Sequence, residues 1–278
     1  RNVGGGPSGQ VQWFYNLNGS GGTLAYDWGI STDFFVPEDY DGDGKTDIAV
    51  WRGGAATVAA FYILQSQTNT LRYETFGQTG DDPTVVGDYN GDGKADLAVY
   101  RSGATAGAQS TWFYRTTANG PTTYVPWGQN GDFPAPGDYD GDNKNDFAIQ
   151  RAGGGGGQFW RSLSGGGNDV VNFGTATDVI VPGDYDGDGK TDLAVVRGVG
   201  GAIHWWYLPS SGGSAVLIPF GVSATDFTTQ GDFDGDGKTD VAVWRNGVFW
   251  ARNSSNGSSQ SFGIGASGDY PVGNFNSH

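Results

Sequence analysis

Five acidic nonapeptides recur along the chain, each with the residue types that hold a hard cation. They read DYDGDGKTD (39–47), DYNGDGKAD (88–96), DYDGDNKND (138–146), DYDGDGKTD (184–192) and DFDGDGKTD (232–240). Positions 1, 3, 5 and 9 carry Asp39, Asp41, Asp43 and Asp47 in the first loop, and Asp88, Asn90, Asp92 and Asp96 in the second. The third has Asp138, Asp140, Asp142 and Asp146, the fourth Asp184, Asp186, Asp188 and Asp192, and the fifth Asp232, Asp234, Asp236 and Asp240. Carboxylate and amide oxygens at this spacing are calcium ligands, and the backbone carbonyl of position 7 (Lys45, Lys94, Lys144, Lys190, Lys238) is the expected further donor. Position 6 (Gly44, Gly93, Asn143, Gly189, Gly237) is a residue that tolerates the positive φ needed to wrap the chain around one ion. Five calcium sites are expected, the second weaker than the first because Asn90 replaces an acid.

An EF-hand opens the same way but needs a bidentate Glu at position 12 and a helix on each side. Position 12 is Val50, Val99, Ile149, Val195 and Val243. The segments around it (IAVWR, LAVYR, FAIQR, LAVVR, VAVWR) are short, β-branched and bounded by Gly-rich stretches, so they read as strands. The EF-hand is rejected, and the bidentate role passes to the Asp at position 9.

The elements that position these loops must be short strands. Gly is 51 of 278 residues and no amphipathic helical stretch stands out. Aromatics at 14% supply core volume despite a modest 36% apolar content. Without cysteine there is no disulfide or thiolate metal site, and metal is expected to take the stapling role. The net charge is −15, and the five loops hold 19 of the 30 acidic residues, so five calcium ions leave about −5. Every lysine sits at loop position 7, so no basic patch is left for nucleic acid, and no apolar run is long enough for membrane insertion. Millimolar calcium is found outside cells, so an extracellular or cell-surface, secreted location is expected.

The first Asp of each loop falls at 39, 88, 138, 184 and 232, steps of 49, 50, 46 and 48 residues. That period suits four short strands per unit. Six aromatic-Gly pairs keep the phase: Trp28-Gly29, Phe76-Gly77, Trp127-Gly128, Phe173-Gly174, Phe220-Gly221 and Phe262-Gly263. An aromatic strand precedes each pair, and an Asp follows it (Asp33, Asp82, Asp132, Asp178, Asp226, Asp269). Together these features resemble the FG-GAP or VCBS repeat of integrin α-subunits and bacterial surface proteins. The resemblance implies an all-β fold, a calcium-binding β-propeller with the metal loop between the first two strands of each blade. Six phased units imply a six-bladed propeller of four-stranded blades, one domain over 1–278.

The sixth loop is degenerate. GNFNSH aligns with GDYDGD, placing Asn274, Asn276 and His278 at positions 1, 3 and 5. Each intact loop precedes an Arg by 13 residues (Arg52, Arg101, Arg151, Arg197, Arg245), and Arg1 reads as the sixth. The expectation is a sixth blade split between the termini and lacking one strand, with eight residues of the repeat absent. Three explanations stand: a longer native chain, a strand supplied by another copy, or a blade that tolerates the gap.

The repeated Arg is expected to pair with the Asp after the aromatic-Gly. The residue before it varies (Trp51, Tyr100, Gln150, Val196, Trp244), which suggests a groove or solvent position where Trp51, Tyr100 and Trp244 would stack on sugars. Catalytic groups are scarce: His204 and His278 are the only imidazoles, Glu38 and Glu74 the only glutamates. The resulting expectation is a non-enzymatic adhesion or structural module, self-assembling through the sixth blade. The alternative is a carbohydrate-binding lectin with sites between blades. Partners are then calcium ions and either copies of itself or surface glycans and proteins.

Overall fold

Short strands with tight turns between them give six antiparallel sheets, each formed by strands consecutive in sequence. The computed structural model describes residues 1–16 and 22–272; Asn274, Asn276 and His278 of the degenerate loop lie outside these. An N-terminal hairpin pairs β1 (Gln10–Asn16) with β2 (Thr23–Ile30). Blade one contains β3 (Phe34–Phe35), β4 (Ile48–Gly53), β5 (Ala59–Leu64) and β6 (Leu71–Thr75). Blade two contains β7 (Leu97–Arg101), β8 (Gln109–Arg115) and β9 (Thr123–Gln129), its first strand reduced to a bridge between Asp82 and Tyr100. Blade three is β10 (Phe133–Pro134), β11 (Phe147–Gly153), β12 (Gly156–Ser162) and β13 (Asn168–Asn172). Blade four is β14 (Val179–Ile180), β15 (Leu193–Val199), β16 (Ala202–Leu208) and β17 (Val216–Val222). Blade five is β18 (Phe227–Thr228), β19 (Val241–Arg245), β20 (Val248–Arg252) and β21 (Ser259–Gly263).

The molecule is an all-β propeller, and no helix occurs among the described residues. Five four-stranded blades correct the expected six, counting the bridge as the first strand of blade two. Among the described residues the sixth unit is the two-stranded hairpin alone. Arg1 and Asn2 reach only the start of β1, through an Asn2–Val11 bridge and the Gln12 amide donating to the Arg1 carbonyl at 2.8 Å. Among the described residues, Trp13 to Asn16 therefore pair with β2 on one side only.

The core is not a single mass. It is divided into four clusters, each sandwiched between neighbouring blades. Trp51, Phe61 and Phe76 of blade one pack with Leu97 and Val99 of blade two, and Tyr100 and Trp112 of blade two with Ile149 of blade three. Phe159 packs with Leu193 and Val195, and Trp205 with Val241 and Val243. The aromatic-Gly pair follows from this packing. A Cβ on Gly29 would lie 3.0 Å from Val50 Cγ1, and one on Gly77 would lie 3.1 Å from Val99 Cγ1. Both glycines also have positive φ (83° and 84°), so a side chain is disfavoured by backbone and neighbour alike. The loop-position-12 residue that excluded an EF-hand is the one that fills this space.

Candidate metal centres

Each acidic loop joins the first two strands of its blade, and its own main chain shapes it. Position 1 folds back on the loop: Asp39 Oδ1 accepts from the Gly42 amide at 2.6 Å and Oδ2 from the Gly44 amide at 2.8 Å. Asp138 repeats this with Gly141 and Asn143, and Asp184 and Asp232 with their glycines. Asn143 adopts φ 63° and Gly44, Gly93, Gly189 and Gly237 lie between 78° and 85°, as position 6 requires. The position-7 amides of Lys45, Lys94, Lys144, Lys190 and Lys238 donate to the position-5 carboxylates, which sets the turn direction there.

Position 9 is buried. Asp47, Asp146 and Asp192 have no exposed surface, and Asp240 and Asp96 almost none. Asp47 accepts from the Tyr40 amide and from the Ser66 amide, and the other loops with a serine repeat the pattern at Ser164, Ser210 and Ser254. The same serine hydroxyls reach position 5, from Ser66 to Asp43 at 2.9 Å and from Ser164 to Asp142 at 2.7 Å. Sequence reasoning missed this serine clamp, although a Ser two residues beyond the aromatic strand recurs in four blades. The second loop has Thr117 in that place, and no hydrogen bond from Thr117 to Asp96 forms. Tyr40, Tyr89, Tyr139 and Tyr185 at position 2 anchor the loops from below, each hydroxyl donating to the carbonyl four residues earlier.

Carboxylate oxygens of Asp39, Asp41 and Asp43 converge within 4.8 Å of one another. So do those of Asp138, Asp140 and Asp146, of Asp184, Asp186 and Asp192, and of Asp232, Asp234 and Asp240. In the second loop Asp88, Asp92 and Asp96 do not form such a group, and Asn90 Nδ2 donates to Asp92 instead. The donors fit a hard divalent cation, which favours oxygen ligands. Asp140 Oδ1 is buried without a hydrogen-bond partner, an arrangement that costs free energy unless something positive meets it. Burial, with smaller contributions from neighbouring carboxylates, pushes Asp47, Asp146 and Asp192 up to about 6 and Asp96 to about 7. Asp240 shifts in the same direction for the same reason. A cation among these oxygens favours the ionised form and opposes the shift.

The loops are also joined in sequence around the propeller. The position-8 amide of each loop donates to the position-1 carbonyl of the loop before it: Ala95 to Asp39 at 2.7 Å, and Asn145 to Asp88, Thr191 to Asp138 and Thr239 to Asp184, each at 2.6 Å. Lys94 Nζ donates to the Asp41 carbonyl and Lys238 Nζ to the Asp186 carbonyl, both at 2.8 Å. The lysine stems lie against the position-4 glycines, Lys144 on Gly91 and Lys190 on Gly141. Lys45 instead pairs with Asp43 of its own loop.

A second repeated device crosses the blade boundaries. Arg52 holds Asp33 through two hydrogen bonds, as Arg151 holds Asp132, Arg197 holds Asp178 and Arg245 holds Asp226. Each Asp also caps an amide where the preceding blade ends, such as Ile30 for Asp33 and Gln129 for Asp132. In blade two the partner of Arg101 is Asp81, which corrects the sequence assignment of Asp82; Asp82 caps Thr84. Asp81 lies five residues after Phe76, the same offset as Asp33 from Trp28. Arg1 pairs with Asp269 at 2.9 and 3.0 Å, so the expected sixth Arg is in place and joins the two ends of the chain.

Trp51, Tyr100 and Trp244 are not stacking platforms. They are 1%, 3% and 3% exposed, and the whole variable position is interior, including Gln150 and Val196. Their polar atoms turn inward, Trp51 Nε1 to the Phe76 carbonyl at 3.0 Å and Tyr100 Oη to the Gln129 carbonyl at 3.3 Å. The position varies because it packs against neighbours that also vary. His204 lies in β16 against the Trp206 ring, with no carboxylate base or nucleophile paired to it.

The FG-GAP-like repeat matches residues 39–99 and 184–243. Each match runs from the first Asp of one loop to position 12 of the next, so the third loop, with Asn143 and Asn145, lies between the two. No curated protein matches the chain. The repeat matches and the bladed sheets agree: the chain is a β-propeller with FG-GAP-like repeats matched over those two segments.

Proposed function

We propose that this propeller is a calcium-stapled, non-catalytic adhesion or structural module that works outside the cell. The observation that carries the reading is the convergence of three carboxylates in four separate loops, with the buried Asp140 Oδ1 lacking any donor. Calcium held there would supply positive charge to oxygens that otherwise repel one another, fixing each loop and, through the linked amides, its neighbour. The position-7 carbonyls would complete the ligand shells. Native mass spectrometry and calorimetry in buffered calcium test this. The expected result is at least four bound ions and a melting temperature at least 15 °C higher than in chelator. Identical melting curves with and without chelator would refute it. Self-assembly through the one-sided β1 edge belongs to the same reading, and concentration-dependent sedimentation tests it.

A second reading, glycan binding between blades, is favoured by two open grooves at equivalent blade boundaries. One, of about 510 Å³, includes Trp127, Trp160 and Arg151. The other, of about 420 Å³, lies between blades one and two.

A further inference from the structure

The two grooves are built on one plan, an Arg stacked on an aromatic ring between neighbouring blades, but they differ in charge. In the groove between blades one and two, Arg101 lies over Phe113 and is neutralised by Asp81, as Arg151 is by Asp132 in the other. Only the first adds a second guanidinium, that of Arg115. The strand register accounts for the difference between the two grooves. Arg115 faces Leu97 across β7 and β8; the corresponding residue is Ser162 in blade three, which borders the other groove, Leu64 and Leu208 in blades one and four, and Arg252 in blade five.

Arg115 is incompletely matched. Glu74 is held by Arg72 at 2.7 Å and capped by the Asn119 amide, whereas Arg115 Nη1 stands 3.5 Å from it. Two guanidiniums thus share the buried Glu74 carboxylate, and Arg115 is the one held at the longer distance. Arg115 Nε is buried and has no hydrogen-bond partner. Its Nη2 makes only a long contact, 3.4 Å, to Thr122 Oγ1. The guanidinium rests on the Phe76 ring, which fixes its plane. Around it the groove offers the side chains of Thr57, Thr75, Gln78 and Thr122.

We propose that this groove binds a carboxylate-bearing saccharide, with Arg115 meeting the carboxylate. The inference rests on the glycan-binding reading and narrows it to one boundary and one chemistry. A planar guanidinium matches a carboxylate through paired N–H donors. A single loosely held guanidinium suits a monoanion better than a doubly charged phosphate. The surrounding hydroxyl and amide groups suit the hydroxyls of a sugar ring, and about 420 Å³ holds a monosaccharide unit.

The test is an NMR titration of the calcium-loaded protein with methyl glucuronoside and, separately, with its uncharged methyl ester. Arg115→Leu, which installs the residue carried at this position by blades one and four, is titrated in parallel, its folding checked by melting. The expected result is saturable shifts at Thr75, Gly77 and Thr122 with the acid. Binding should be at least tenfold weaker for the ester and for Arg115→Leu, and weaker in high salt. Equal binding of acid and ester, or unchanged binding by Arg115→Leu, overturns the carboxylate site while leaving glycan binding intact. Binding of neither saccharide overturns both. Should Arg115→Leu melt early, Arg115→Gln gives the same comparison with a polar side chain of similar length.

Discussion

Replacing Arg151 with Ala should destabilise the calcium-loaded propeller far more than a surface ion pair would. Asp132 is 1% exposed at its side chain and receives two Arg151 hydrogen bonds, at 2.8 and 2.7 Å. Removing one partner of a buried pair costs about 3–5 kcal/mol. Arg151 keeps 24% of its side chain in solvent and Asp132 retains the Gln129 amide, which places the loss at the lower end. Losing the stack on Trp160, at 4.7 Å, adds about 0.5–1 kcal/mol. The sum is about 3.5–4 kcal/mol, or a fall of roughly 7–8 °C at about 2 °C per kcal/mol for a chain of this size. Urea denaturation and calorimetry of Arg151→Ala, Asp132→Ala and the double variant form the assay. A coupling energy of about 1.5 kcal/mol or more is expected between sites in direct contact. If the two single effects simply add, within about 0.5 kcal/mol, the pair is not a staple across the blade boundary and the reasoning fails. Asp269→Ala should lower the melting temperature less than Asp132→Ala, because its partner Arg1 is 40% exposed.

If calcium fills the acidic loops as proposed, they should behave oppositely with pH in its presence and absence. Asp47, Asp146 and Asp192 at about 6 and Asp96 at about 7 lie above the ordinary carboxylate value, so their contribution is present below about pH 4 and lost as pH rises through 6 to 7. The chelated protein should therefore melt lower at pH 7.5 than at pH 5, while calcium affinity rises over the same interval; a flat chelated profile contradicts this. At Asp178 and Asp226 burial is the largest single influence and pulls upward, but the Arg, Thr and main-chain hydrogen bonds and the Arg charge together outweigh it, so their contribution is lost as pH falls below the ordinary range. Thr117→Ser should strengthen the second loop by restoring the clamp on Asp92 and Asp96, raising its affinity about fivefold in a terbium titration; no change would show that the Thr117 methyl is not what leaves this loop unclamped. Lys238→Met should remove the bond to the Asp186 carbonyl and weaken ion binding in the fourth loop as well as the fifth, read by isothermal titration against Lys45→Met, which crosses no loop boundary.

The repeat itself was legible in the sequence because its signals are local. Asp at positions 1, 3, 5 and 9, a residue tolerant of positive φ at position 6 and a branched residue at position 12 fix loop and following strand without help from distant residues. The offset of 13 from first Asp to Arg likewise identified Arg1, and Arg1 does meet Asp269. Facts that depend on what lies across a blade boundary were not legible. Alternating strand residues take their environment from the next blade, so variability before the Arg could not distinguish solvent from a varied interior, and Trp51, Tyr100 and Trp244 proved buried. Asp81 and Asp82 are adjacent acids, and only the position of Arg101 decides between them. The links from Ala95 to Asp39 and from Lys94 to Asp41 join residues more than 50 positions apart, and Arg115 stands 3.5 Å from Glu74 while Arg72 holds the same carboxylate at 2.7 Å. Local chemistry determined what each loop and strand is; packing between blades decided which side chains are buried and which are paired.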